Sequence, residues 1–379
     1  MTDTLSRPRT TRAASRTAQK DIFPIEGIDY VELYVGNALQ AAHYYRLVWG
    51  YDIVGYLGPE TGVRDHISYV LEQGRVRLVL TAGLGPESPI VRHQALHGDG
   101  VKDIAMRVPN VEQAYHAALS RGARGVREPQ VLEDATGCLT VAAIATYGET
   151  IHSLVERGEY HGTFMPQFRS KHVKGRGVGL RVIDHIVGNV ELGRMDEWVE
   201  FYKRVMGFDQ LVHFSDKQIS TEYSALMSKV VMDGTGKIKF PINEPAQGRR
   251  KSQIEEYLDF YRGPGAQHIA IATGNILRTV EALQANGADF LQTPHPYYAE
   301  LPSRVTGIKE DLARLEELSI LADKDEDGYL LQIFGKAVED RPTLFYEIIE
   351  RHGARGFGEG NFKALFEALE REQEARGNL

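Results

Sequence analysis

The chain is assembled from repeated units, and a repeat limits what it can fold into more than any other feature. DYVELYVGNALQAAHYYRLVWGYDIVGY, starting at Asp29, and DHIVGNVELGRMDEWVEFYKRVMGFDQLVHF, starting at Asp184, follow one plan apart from a two-residue insertion in the second. Each alternates apolar and polar residues, changes to apolar residues three or four apart, and alternates again, which predicts strand, amphipathic helix and strand. GDGVKDIAMRVPNVEQAYHAALSRGARGV from Gly98 likewise matches GPGAQHIAIATGNILRTVEALQANGADFL from Gly263, with Gly122 and Gly287 placed to end their helices. TIHSLVER from Thr150 and TLFYEIIER from Thr343 complete the correspondence as period-two strands near the end of each half. Two halves of like architecture are therefore expected, and the length of 379 residues suits them.

Such βαβ modules with antiparallel strands between them, two per half, resemble the vicinal-oxygen-chelate (glyoxalase-like) architecture, in which curved sheets wrap a metal-lined hollow. The expected class is α+β: two tandem glyoxalase-like domains of paired βαβββ modules, the C-terminal half forming an open barrel around a metal. Residues 1–20 read as a disordered, solvated tail, because Arg7, Arg9, Arg12 and Arg16 stand among Ser and Thr. That tail has no apolar run long enough for a secretory signal or a membrane span, so cytoplasmic residence and no membrane partner are expected. Residues 21–168 form an N-terminal structural domain without metal, 169–179 a linker, and 180–379 a C-terminal catalytic domain with a closing terminal helix. Within the linker, GRGVG runs into the strand LRVIDHIVG instead of opening a helix, which argues for a hinge and against a phosphate loop.

Composition excludes several classes. A formal charge of -8 leaves no general surface for nucleic acid, whose phosphates need clustered Lys and Arg. The single cysteine, Cys138, rules out an intrachain disulfide and any thiolate-rich zinc or iron–sulfur site. A metal in this chain must use imidazoles and carboxylates.

Laying one half over the other shows where such a metal belongs. Tyr30 falls opposite His185, Asp103 opposite His268, and Ser153 opposite Glu347. The second half thus carries two imidazoles and a carboxylate at positions where the first carries a poor divalent donor set. Two His and one carboxylate leave about three coordination positions open, which suits iron(II) activating dioxygen beside a chelating substrate. A lone histidine in an apolar strand is ordinarily a hydrogen-bonded core residue. Glu347 is harder to read that way, because an ionised carboxylate among LFYEIIE costs several kcal/mol unless something positive sits beside it. Period two sets Phe345 on the face of Glu347, Gln332 with Phe334, and Pro241 with Asn243. Gln267 precedes His268 and points to the opposite face of an ideal strand.

On FPINEP, KSQIEEYL, GPGAQHIA, DGYLLQIF, DRPTLFYEIIER and GFGEGNFKALFEALE, the chain resembles the 4-hydroxyphenylpyruvate dioxygenase family from Phe23 to its C-terminus. The resemblance implies one iron(II) per chain on His185, His268 and Glu347, in the C-terminal half only. It implies that Gln267, Asn243, Gln253 and Gln332 serve catalysis and that Ser224, Pro241, Phe334, Phe345, Gly358, Asn361, Phe362 and Leu365 bind substrate. The implied reaction is oxidative decarboxylation of 4-hydroxyphenylpyruvate with dioxygen to homogentisate and carbon dioxide, in tyrosine breakdown. The substrate brings its own 2-oxo acid, so no separate one is needed. A homo-oligomer, taken as a dimer, is the implied assembly. Hydroxymandelate synthase, a sister using the same substrate and ligands for benzylic hydroxylation, departs from the Pro241, Asn243 and Phe334 pattern present here. A non-catalytic small-molecule binding protein of the same fold is the other alternative, disfavoured by the triad.

Two further motifs invite metal readings. DKDEDG at Asp323 imitates the start of an EF-hand loop, but its twelfth residue is Phe334, where a bidentate Glu is required, so a hairpin turn is expected. His93 and His97 stand four apart as a helical zinc pair would. HQALH lacks the glutamate that follows the first His of such motifs, so a loop or surface turn is expected there.

Overall fold

The structure, a computed structural model, describes residues 23–214, 225–246, 248 and 251–377. The tail at 1–20 and Ser224 lie outside the described residues. In chain order the elements are β1 (Gly27–Tyr34), α1 (Ala38–Leu47), β2 (Asp52–Leu57), β3 (His66–Gln73), β4 (Val76–Gly83), α2 (Pro89–His97), β5 (Gly100–Arg107), α3 (Val111–Ser120), β6 (Gly125–Asp134), β7 (Gly137–Ala145), β8 (Ile151–Glu156) and β9 (Arg169–Val173). They continue as β10 (Leu180–Asn189), α4 (Met195–Met206), β11 (Asp209–Phe214), β12 (Ala225–Met232), β13 (Lys239–Ala246), α5 (Gln253–Tyr261), β14 (Gly265–Thr273), α6 (Ile276–Ala285) and α7 (His295–Arg304). The last are α8 (Leu312–Glu317), β15 (Leu321–Lys324), β16 (Tyr329–Phe334), β17 (Phe345–His352) and α9 (Phe362–Ala375).

The repeat read from the sequence is a repeat of topology. One sheet runs β2-β3-β4-β1-β5-β8-β7-β6, with β9 beside β2, and the other runs β11-β12-β13-β10-β14-β17-β16-β15, curling into a half-barrel. Position for position the two orders agree. The helices start alike as well: Asn37, Asn110 and Asn275 each accept the N–H three residues on, which satisfies a donor that the first turn leaves unpaired. α4, where the two-residue insertion falls, has no such side-chain cap, and the Glu244 carboxylate accepts the Met195 N–H instead. Asp196 and Glu197 in the first turn of α4 and Lys203 and Arg204 in its last oppose the helix dipole. Its inner face seats Val199, Tyr202 and Val205 in the core, at roughly 1.5–3 kcal/mol each.

A buried ion pair repeats with the strands. Arg351 on β17 grips Asp184 on β10, with Nε and Nη2 each 2.8 Å from a carboxylate oxygen. Arg157, just past β8, does the same to Asp29 on β1, joined there by Arg107 at 2.9 Å and Arg77 at 3.5 Å. Burial would raise the Asp29 carboxyl, but these guanidinium groups outweigh it and hold it below the usual carboxylate range. With the folded pKa depressed, the stability Asp29 contributes is present above its unfolded value near 3.9 and is lost as pH falls through the folded one. Asp29→Asn should therefore cost about 2–3 kcal/mol at pH 7 in urea unfolding, with the gap to wild type closing below about pH 4. A gap that widens in acid would contradict this.

Three local expectations meet different outcomes. The Asp323 motif is a hairpin: β15 and β16 pair antiparallel, and Asp325 Oδ1 accepts the N–H groups of Asp327 and Gly328 across the turn. The stretch read as linker begins as strand β9 on the edge of the first sheet, because residues 169–173 find open hydrogen-bonding groups on β2. The expectation of a loop or surface turn at HQALH is corrected. Those residues are helical in α2, whose N-cap Ser88 accepts the Ile90 N–H and whose first residue is Pro89. Ile90, His93 and His97 are buried, because α2 packs against α5 of the other half. Among the described residues no helix is long and apolar enough to cross a membrane.

Candidate metal centre

Three neighbouring strands bring the triad together. Ala270 on β14 pairs with His185 of β10 on one side and with Glu347 of β17 on the other, and His268 lies two residues away on the same face. An alanine at the centre of that row leaves room between the larger side chains. The Nε2 atoms of His185 and His268 lie 3.2 and 3.5 Å from one oxygen of Glu347. All three residues are buried, and their ligand atoms lie within 4.8 Å of one another.

Each histidine is held from behind by the residue preceding it. β10 and β14 lose register at Asp184, where Ile183 faces Ile271 but His185 faces Ala270, and again at Gln267, where Val187 faces His268 but Gly188 faces Ala266. A bulge places two residues opposite one and re-aims the extra side chain. Asp184 Oδ1 thereby lies 2.8 Å from His185 Nδ1, and Gln267 Oε1 lies 3.0 Å from His268 Nδ1. With an acceptor at each Nδ1, both rings are placed to donate there and to keep Nε2 for the centre, the tautomer a metal ligand needs. Gln267, expected on the far face of an ideal strand, comes to the pocket through this bulge. Asp184 was not among the residues singled out in the sequence. Its signal was present, since both halves read Ile-Asp at 28–29 and 183–184 and Glu-Arg at 156–157 and 350–351.

Electrostatics agree with a cation site. Burial would raise the Glu347 carboxyl, but His185 and His268 outweigh it and hold it below the ordinary range. Burial opposes the charged form of His185, yet Glu347 and Asp184 lift it above its usual value. At His268 burial wins and pushes the imidazole down. Asp184 is held well below the carboxylate range, where Arg351 and His185 outweigh its burial. Two imidazoles facing a desolvated carboxylate form a donor set that a divalent ion would complete.

Beside the triad lies a cavity of about 60 Å³. Pro241, Asn243, Gln253, Gln267, Phe334, Phe362 and Leu365 all line it, as do Ser228, Phe357 and Phe366, which the sequence did not point to. Four other expected residues stand behind its wall. The Phe345 ring stacks on His268 at 4.7 Å between centroids. Asn361 turns its Oδ1 to the Tyr297 hydroxyl at 2.6 Å and so anchors the start of α9. Gly358 has φ 77, and a Cβ there would stand 2.1 Å from Gln332 Oε1, so only glycine fits over the buried Gln332. A larger cavity, of about 540 Å³, lies between the halves among Arg75, Arg107, Lys237 and Asp29, and reaches Asp184 behind His185.

The first half shows what became of the matching position. Asp103 faces Ile151, two residues before Ser153, just as His268 faces Phe345, two before Glu347. Here Tyr30 donates to Asp103 Oδ2 at 3.0 Å, Ser153 donates to the same oxygen at 2.5 Å, and Arg127 Nη2 reaches the Ser153 hydroxyl at 3.0 Å. Hydrogen bonds and a guanidinium occupy the space that the second half leaves for an ion.

Comparison with known proteins agrees with this geometry. Residues 182–333 match the family described as the Glyoxalase/Bleomycin resistance protein/Dioxygenase superfamily. The 4-hydroxyphenylpyruvate dioxygenase of Aspergillus fumigatus is 45% identical over 99% of this chain and 98% of its own. That of Dictyostelium discoideum is 47% identical over 94% and 100%, and that of Xenopus tropicalis 45% over 92% of each. Among solved structures, a triple mutant of 4-hydroxymandelate synthase from Streptomyces coelicolor superposes with a TM-score of 0.83 at 33% identity, covering 93% of this chain and 100% of that one.

Proposed function

Because the chain belongs to the 4-hydroxyphenylpyruvate dioxygenase family, we propose that it oxidatively decarboxylates 4-hydroxyphenylpyruvate with dioxygen to homogentisate and carbon dioxide, using iron(II) on His185, His268 and Glu347. The observation that carries this reading is a buried pair of imidazoles, each with an acceptor at Nδ1, facing one carboxylate beside an aromatic cavity. The donor set fits iron(II) and leaves coordination positions for a chelating oxo acid and a gas molecule, and the ion would supply dioxygen activation next to the ring.

The remaining work falls to the chain. Phe334, Phe362 and Leu365 offer apolar walls to the substrate ring, and the carboxamides of Asn243, Gln253 and Gln267 offer donors and acceptors to its polar ends. Phe345, Gln332, Gly358 and Asn361 act one layer back, fixing the His268 ring and the start of α9. Sites for small molecules ordinarily need about 300 Å³ or more, so a cavity of about 60 Å³ cannot admit an aromatic oxo acid as it stands. α9 brings Phe362, Leu365 and Phe366 into that space, and its outward displacement would open the way in. Its return would exclude water while the oxidant is present. The N-terminal half, residues 21–168, serves as a scaffold whose own hollow Arg127 fills, and residues 180–379 carry the reaction.

Chromatography and mass analysis of the product after supplying iron(II), oxygen and 4-hydroxyphenylpyruvate test the assignment. Homogentisate is expected. Hydroxymandelate would move the chain to the sister reaction, for which the superposed synthase is the reason to look. Absence of turnover in iron-loaded protein would favour a binding protein.

A further inference from the structure

His93, His97 and Glu149 form a second group whose ligand atoms lie within 4.8 Å of one another, far along the chain from the triad and in the half expected to carry no metal. His93 and His97 are one turn apart on a single face of α2, the spacing at which a helix offers two imidazoles to one ion. Both are at least nine-tenths buried, whereas the Glu149 side chain, in the loop before β8, is half exposed. One oxygen of that carboxylate lies 2.6 Å from His93 Nδ1 and 3.6 Å from His97 Nε2, close to the 3.2 and 3.5 Å spacings around Glu347.

The polar groups of this cluster are unbalanced. His97 Nδ1 lies 2.5 Å from the Tyr261 carbonyl oxygen, which only accepts, so the ring proton belongs there and Nε2 presents a lone pair. That Nε2 is buried without a hydrogen-bond partner, and it faces a carboxylate oxygen that is also an acceptor. Two acceptors facing across 3.6 Å are satisfied by a proton or a metal ion between them. His93 Nε2 is buried and unpartnered as well. The Glu149 backbone is itself tied down, since Lys102 donates to its carbonyl oxygen at 2.5 Å.

We propose that His93, His97 and Glu149 bind a structural divalent ion of the zinc class at the seam between the two halves. His97 Nε2, His93 Nδ1 and a Glu149 oxygen would be its protein ligands, and the half-exposed side of the site leaves the fourth tetrahedral position to water. On binding at Nδ1, the ring proton that His93 shares with Glu149 moves to its Nε2, so the imidazole stays neutral and no other bond changes. The Tyr261 carbonyl then plays towards His97 the part that Gln267 plays towards His268. All three ligands belong to the first half, and the His97–Tyr261 contact at the ends of α2 and α5 would carry the fixed His97 ring across the seam. Arg341 already binds the same seam, donating to the carbonyl oxygens of Ala95, Leu96 and Phe260.

The test is the zinc content of full-length, metal-stripped protein equilibrated with zinc alone and freed of excess by gel filtration. Wild type should retain two equivalents per chain, Glu347→Ala one, His97→Gln one, and the double variant none. Zinc affinity of the second site should fall at least about 100-fold in His97→Gln. Glu149→Gln, altering an exposed carboxylate, should weaken the site similarly while the far-ultraviolet spectrum stays that of wild type, which covers a failure of His97→Gln to fold. Cobalt(II) substituted into the Glu347→Ala protein should give visible bands of a tetrahedral nitrogen–oxygen site, lost in the double variant. One equivalent in wild type with none in Glu347→Ala, or two equivalents undiminished by His97→Gln and Glu149→Gln, would overturn the proposal. Two equivalents surviving in Glu347→Ala would count against the iron assignment alone.

Discussion

Replacing Glu347 with alanine is expected to lower kcat by at least about 10³-fold and to abolish stoichiometric iron retention, with the fold intact. The magnitude follows from what a bound Lewis acid supplies, several kcal/mol of stabilisation where charge develops, at tenfold in rate per 1.36 kcal/mol. The fold survives because Glu347 makes no contribution that a smaller residue on β17 would withdraw from the ladder: its backbone pairing with Ala270 and Phe334 is indifferent to the side chain. Removal of the carboxylate also relieves the burial cost that opposes its charged form, a cost that the two imidazoles chiefly offset in metal-free protein. Oxygen consumption, iron analysis and circular dichroism on one sample check all parts. Turnover within tenfold of wild type would end the assignment of this carboxylate as a ligand.

The second large effect is expected one layer out. Asp184→Ala should destabilise the protein by about 3–5 kcal/mol and weaken iron binding roughly 10–100-fold at once. Asp184 accepts two hydrogen bonds from Arg351, lies 3.6 Å from Lys239, and is 2.8 Å from His185 Nδ1. Without it the guanidinium is left against low-dielectric surroundings, its Nη1 still bound to the Gly356 and Ala354 carbonyl oxygens, and the His185 ring is free to rotate or change tautomer. Urea unfolding of the metal-free protein reads the first consequence and competition with a chelator reads the second. Arg351→Met separates them, since it breaks the ion pair and leaves the His185 contact in place. Equal loss of iron affinity in both variants would mean that Asp184 acts on the metal only through stability.

Much of this was legible in the sequence because the halves annotate each other. Laying Tyr30 on His185, Asp103 on His268 and Ser153 on Glu347 located the centre without any motif for it, and the strand registers around Ala270 reproduce that correspondence. What escaped was local geometry that departs from ideal periodicity. Period two sends Asp184 and Gln267 away from the ligands they follow, and only the lost register at each bulge brings them back. α2 escaped for another reason. HQALH has too weak an apolar stripe to declare itself, and its burial is settled by α5, more than 150 residues further along. Asn361 and Gln332 were placed near substrate by resemblance; the Tyr297 hydroxyl ties Asn361, and Gln332 is buried beneath Gly358, contacts that depend on rotamers no pattern encodes.

The guanidinium of Arg127 in the N-terminal hollow is covalently tethered, and a tethered cation cannot be exchanged, oxidised or chelated. Of two hollows with one blueprint, then, the one proposed to hold iron would depend on the supply and redox state of an ion in the surroundings, and the other is self-sufficient from the moment it folds. On the proposed assignment, iron starvation would leave this molecule with one hollow fully formed and the other waiting.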